Sequence, residues 1–202
     1  MRTKYFKFLA YFSFIISLIY GFYHIIKAFD FVKEAYIYTG IFALIFLNLS
    51  LLFSLLKFKK TKNYPKILGI FAAFWAILHF LNYFIFDRNA QISRLFDDIS
   101  HRLLEASGFI AFLIIFLMLL SSFEIFKKLS KIRKLGYLCL VLASYHYFLT
   151  PKVPMFWEWS ALIVALFYFI VRYTKTLKKL KSNNLTFIKT WGLLCGWYIL
   201  LF

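Results

Sequence analysis

Residues 67–86 read ILGIFAAFWAILHFLNYFIF, twenty residues with no formally charged side chain and one histidine, His79. A helix of that length, rising 1.5 Å per residue, crosses a hydrocarbon layer of about 30 Å. An ionisable group inside such a span is costly and marks a functional position. A second histidine of the same kind is His146, in LCLVLASYHYFL at 138–149. Two imidazoles on two separate helices can clamp one metal centre, and in a membrane that centre is most often a haem.

Working outward, the same apolar blocks recur along all 202 residues, and the chain is 63% hydrophobic, against about 45–50% in soluble domains. The expected fold is all-α: a polytopic transmembrane helical bundle with spans at about 8–27, 36–56, 67–86, 107–126, 135–150 and 157–172, forming a single transmembrane domain over 1–202. The first apolar run is too long for a signal peptide and lacks a small-residue cleavage site, so it reads as an anchor. A further stretch, TFIKTWGLLCGWYILLF at 186–202, holds Lys189 and two glycines. It reads as a seventh span, a re-entrant segment or an interfacial one.

The net charge of +17 raises the question of nucleic acid, but its distribution answers no. The basic residues sit in short clusters between apolar blocks, as the positive-inside rule expects. The N-terminus, the 57–66 and 127–134 loops and the segment after the sixth span hold 19 of the 25 basic residues. The opposite side has only Lys27, Lys33, Arg88, Arg94, Arg102 and Lys152, together with seven of the eight acids. This alternation predicts six spans and a cytoplasmic N-terminus. It also places all four histidines in the outer half. His79 lies seven residues from the outer end of its span, or about 10 Å. His101 falls in an outer 87–106 loop.

The side chains around these histidines define the candidate site. Trp75 and Tyr83 lie one turn either side of His79 on its helical face, and Tyr145 and Tyr147 flank His146. Aromatic walls suit a porphyrin and keep water from its iron. The competing reading for each imidazole is an ordinary interhelical hydrogen bond. His24, beside Tyr20 and Tyr23, reads as an interfacial histidine or a stand-in ligand. Arg102 reads as a surface residue paired with His101, or as a guanidinium reaching a haem propionate. Lys66 is an orientation determinant, or a contact for a flavin phosphate or quinone carbonyl. Cys139 and Cys195 read as small buried hydrophobes, because no Cys-x-x-Cys is present. Dinucleotide-binding glycine loops, P-loops, Gly-x-Ser-x-Gly and HExxH are absent as well. Redox chemistry in such a chain requires a prosthetic group.

Several segments resemble one family in order and spacing. Lys66-Ile67-Leu68-Gly69-Ile70, Phe74-Trp75-Ala76-x-Leu78-His79 and Tyr83 resemble the haem-bearing helix of the MsrQ (YedZ) family, within the ferric-reductase-like transmembrane group. Thr39-Gly40 with Ala43-Leu44 resembles the family's second helix, Arg102 with Gly108 and Ser121-Ser122 its fourth, and Tyr137 with Ala143-x-x-His146-Tyr147 its fifth. The resemblance covers roughly residues 30–175. It implies a b-type cytochrome of the inner membrane that takes electrons from the quinone pool or from FMN. The electrons pass to the periplasmic molybdopterin enzyme MsrP, which reduces methionine sulfoxide in oxidised proteins. The chain itself would then be an electron-transfer subunit and not the sulfoxide-reducing catalyst. By position, His79 and His146 become the haem ligands, with Trp75 and Arg102 around the haem and Lys66 on the flavin or quinone side. The family's further histidine near the start of the fifth helix falls near Arg133, and positions 66 and 132 are Lys and Ile. One haem b is therefore expected.

Two other functions compete. A ferric-reductase-like protein would use the same histidines to reduce metal or oxygen at the outer face. A transporter would be expected to show internal repeats and intramembrane acids, and neither is evident.

Overall fold

The computed structural model describes residues 2–56 and 63–182; the 186–202 segment lies outside them. Among the described residues the regular structure is entirely helical. The helices are α1 (Arg2–Lys27), α2 (Phe31–Leu56), α3 (Tyr64–Asn82), α4 (Ile92–His101), α5 (Leu103–Leu120), α6 (Gly136–Leu149) and α7 (Phe156–Ser182). Among the described residues five stretches are long and apolar enough to cross a membrane: Tyr5–Lys27, Phe31–Leu56, Tyr64–Asp87, Leu103–Leu120 and Phe156–Thr174.

The 67–86 stretch becomes α3, extended backward to Tyr64. Pro65 sits in its first turn, where a missing N–H costs nothing. At its far end the helix widens into a π-helical turn, Tyr83–Asp87. The chain then reverses through Asn89 and Ala90, at φ 49° and 57°. The left-handed region costs a residue with a side chain about 1–2 kcal/mol, here spent on a sharp exit from the span.

Two expected boundaries differ. The 107–126 span ends at Leu120, where the hydroxyls of Ser121 and Ser122 turn back to the Met118 carbonyl at 2.7 and 3.3 Å. The lysine-rich stretch that follows is a tight 3₁₀ segment, Glu124–Leu135, kinked at Phe126. The 135–150 span is accordingly a helix of only 14 residues, about 21 Å long. It is shorter than the hydrocarbon layer because the basic segment precedes it and Pro151 and Pro154 follow it.

Sequential helices pack on one another: α1 on α2, α2 on α3, α5 on α6 and α6 on α7. The bundle is closed by α3 on α5 and α2 on both α6 and α7. The core lies along α3, with Leu68, Phe71, Ala72, Ala73 and Trp75 buried against Phe46, Leu47 and Leu51 of α2. Ala111 and Ile115 of α5 and Cys139 and Leu140 of α6 continue it. Phe8, Ile19, Phe167 and Ile170 stay exposed on the outside of α1 and α7, as expected where the solvent is lipid.

Candidate functional site

His79 projects from the last turn of α3 and His146 from the last turn of α6. Both rings are partly buried. Their centroids are 6.2 Å apart and their planes are nearly perpendicular, at 85°. α3 packs chiefly on α2 and then on α5, whereas α6 packs chiefly on α5 and α7. The imidazoles therefore meet across the space between α3 and α6.

Each ring is held by its Nδ1 atom. Thr39 of α2, itself buried, lies with Oγ1 3.2 Å from His79 Nδ1. The Thr39 hydroxyl donates its own proton to the Ala35 carbonyl, at 2.5 Å, and so accepts from His79. His146 Nδ1 lies 2.8 Å from the Leu104 carbonyl of α5, which can only accept. Both imidazoles thus carry hydrogen on Nδ1, leaving Nε2 bare as a ligand nitrogen.

Glycines make both seats possible. A Cβ on Gly40 would stand 3.1 Å from His79 Cε1, and one on Gly108 would stand 2.6 Å from His146 Nδ1. His79 and His146 therefore lie against bare backbone of α2 and α5. The Tyr36 ring meets His79 edge-on, at 5.5 Å and 83°.

A polar cluster borders the same end of the bundle. The Tyr36 hydroxyl donates to Asp87, at 2.8 Å. The Tyr83 hydroxyl donates to buried Asp98 at 2.7 Å and accepts from Arg88 at 3.2 Å. Arg88 also forms an ion pair with Asp98. The bond to Tyr83 and the surrounding negative charge hold the Arg88 guanidinium above its already high ordinary range. Arg102 reaches Asp98 at 3.7 Å and Glu105 at 3.2 Å.

The other predicted site residues are distributed unevenly. Trp75 turns toward α1 and α2: its indole donates to Ser17 at 3.2 Å and its ring packs on Phe42 and Phe14. Arg102 stands at the start of α5, two residues before the carbonyl that holds His146. Lys66 lies at the opposite end of α3, about 20 Å from His79, and donates to the Ser122 carbonyl at 3.2 Å. His24 is stacked among Tyr20, Tyr38 and Tyr23 at 4.4, 5.2 and 5.5 Å. The segment around His101 is not a loop: His101 ends α4 and pairs with Asp97 at 3.1 Å. Cys139 is buried and donates to the Ala111 carbonyl at 3.3 Å; Cys195 lies outside the described residues. At the position of the missing histidine, Arg133 donates to the Ser121 hydroxyl at 2.9 Å and to the Ser121 carbonyl. Sequence reasoning assigned no role to Thr39, Gly40, Gly108 or the Leu104 carbonyl. A small or hydroxyl residue facing a histidine on another helix leaves no local pattern.

Apolar helices of membrane-crossing length around a facing pair of partly buried imidazoles define a multi-pass helical membrane protein. Residues 39–132 match the family described as ferric reductase like transmembrane component. The chain is 32% identical over 146 residues to the protein-methionine-sulfoxide reductase heme-binding subunit MsrQ of Pasteurella multocida (strain Pm70), covering 68% of this chain and 71% of that relative. It is also 32% identical over 126 residues to the MsrQ subunit of Deinococcus radiodurans, covering 57% and 62% of the two chains. No solved structure matches. The chain belongs to the MsrQ family.

Proposed function

We propose that this protein is a haem b electron-transfer subunit, with His79 and His146 as the two axial ligands of a single iron. The imidazole pair carries this reading. A metal–imidazole bond of about 2 Å, with about 1.1 Å more from nitrogen to ring centre, sets two rings on one metal about 6 Å apart. The rings are 6.2 Å apart, with Nδ1 engaged on both sides. Metal-bound histidines characteristically donate their other N–H in this way. Among the described residues no three His, Cys, Asp or Glu side chains gather into a metal site. Two protein ligands suit a porphyrin, which brings its own four nitrogens.

Bound haem would supply reversible one-electron transfer. The protein's part is to fix both rings through Thr39 and Leu104 and to surround them with apolar helix. Arg102, near the His146 seat, is placed to offer its guanidinium to a propionate. The family membership supports MsrP-like periplasmic molybdopterin reductase as the electron acceptor, and the quinone pool or FMN as donor. In this reading the whole chain is one domain of a bacterial inner membrane. The imidazole end faces the periplasm and the lysine-rich end, with Lys66, faces the cytoplasm.

The test is a reduced-minus-oxidised visible spectrum of the purified protein. A low-spin b-type signal is expected, lost in both His79→Ala and His146→Ala. A folded preparation that binds no haem would overturn the assignment. The match to the ferric reductase like family favours one second reading, reduction of a metal chelate or oxygen at the outer face. Reduced protein that reoxidises with a ferric chelate but not with an MsrP-like reductase would select it.

A further inference from the structure

We propose that α4 is an interfacial helix whose Ile92 and Phe96 dock into the lipid of the leaflet at the imidazole end of the bundle. Its ten residues, ISRLFDDISH, divide three ways around the helix. Ile92, Leu95, Phe96 and Ile99 follow the i, i+3, i+4, i+7 rule and form one apolar stripe. Arg94, Asp97 and His101 occupy the opposite side. Asp98, on the flank between them, is buried and tied to Tyr83 and Arg88 at the end of α3.

That tie fixes how the helix is rolled. With Asp98 turned into the protein, Leu95 and Ile99 are half-buried against it. Ile92 and Phe96 are left 62% and 64% exposed. Two large apolar side chains left in water forfeit the gain of burial; in lipid the loss disappears. The neighbouring span ends are apolar and open as well: Ile85 and Phe86 at the end of the α3 span and Leu103 at the start of α5 are exposed. Along the chain the stripe thus lies between the exposed apolar ends of two helices long and apolar enough to cross a membrane. Asp97 and His101, paired at 3.1 Å and both widely exposed, remain on the water side. A short helix with an apolar face and a charged face, linked at both ends to spans, lies in the headgroup layer.

The test uses the full chain with Cys139→Ala and Cys195→Ser, reconstituted in nanodiscs of phosphatidylethanolamine and phosphatidylglycerol. Single spin labels are placed by Ile92→Cys, Phe96→Cys, Arg94→Cys and Asp97→Cys. Collision with oxygen, which partitions into lipid, is compared with collision with a water-soluble nickel chelate. The oxygen-to-nickel ratio should be severalfold higher at 92 and 96 than at 94 and 97. Equal nickel access at all four positions would overturn the proposal, because the stripe would then face water. Labels at 92 and 96 reached by neither reagent would also overturn it, because a protein surface or a second copy would then cover them. Two positions on the stripe keep the result decisive if one variant fails to fold.

Discussion

Gly108 is the position where one carbon atom matters most. A Cβ there would fall 2.6 Å from Nδ1 and 2.7 Å from Cε1 of His146, well inside contact distance, so the ring would have to leave its seat. Overpacking of this kind costs about 1–3 kcal/mol. Gly108→Ala is expected to abolish haem binding, measured as haem per purified chain. Gly40→Ala, where the approach is 3.1 Å, should only reduce it. Thr39 acts differently, by accepting the Nδ1 proton of His79. Thr39→Val removes that acceptor and leaves the ring only the Tyr36 backbone, at about 0.5–1.5 kcal/mol, and partners of this type typically matter 10–100-fold in metal affinity. The remaining imidazole is a poorer donor to iron, so a redox titration should show a raised potential. Thr39→Ser should restore it.

Among the elements, α4 and the two ends of α5 depart furthest from the sequence reading. A scan for twenty-residue apolar blocks passes over a ten-residue helix whose charged and apolar residues cancel. Its place depends on Asp98, contacted by Tyr83, Arg88 and Arg102. Asp98→Asn removes the charge that Arg88 pairs with and should cost about 1.5–3 kcal/mol. Amide exchange across 92–101 is expected to rise while the 67–82 core of α3 stays protected. The short α6 was legible at its start and its end, where lysines and prolines flank it. Its length has consequences at the other end of the bundle. There Arg133 holds the end of α5 through buried Ser121, placing a cation at the carbonyl end of the helix, where its dipole favours it.

At the scale of the molecule, the two ends of the bundle differ in chemistry. One gathers both imidazoles and the Tyr36, Asp87, Tyr83, Arg88 and Asp98 cluster; the other holds Lys66 and the basic Glu124–Leu135 segment, both tied to the end of α5. This polarity predicts one haem per chain, checked by pyridine haemochrome against protein mass. Two haems would require a ligand pair at the basic end. It also predicts orientation: in intact cells, Arg94→Cys should react with a membrane-impermeant maleimide and Lys128→Cys should not.

The sequence by itself determined the fold class, the apolar blocks, the alternation of charge and the two histidines worth attention. These depend on composition and spacing along the chain, since crossing a bilayer demands a run of apolar residues whatever surrounds it. Only the tertiary structure decided that His79 and His146 meet, because a 6.2 Å separation between residues 67 positions apart depends on how α3 and α6 pack on α2 and α5. It also decided that Trp75 turns away toward Ser17, although helical spacing had placed it on the His79 face. The roles of Thr39, Gly40 and Gly108 emerged for the same reason: a hydroxyl or a missing side chain acquires meaning only from what another helix brings against it.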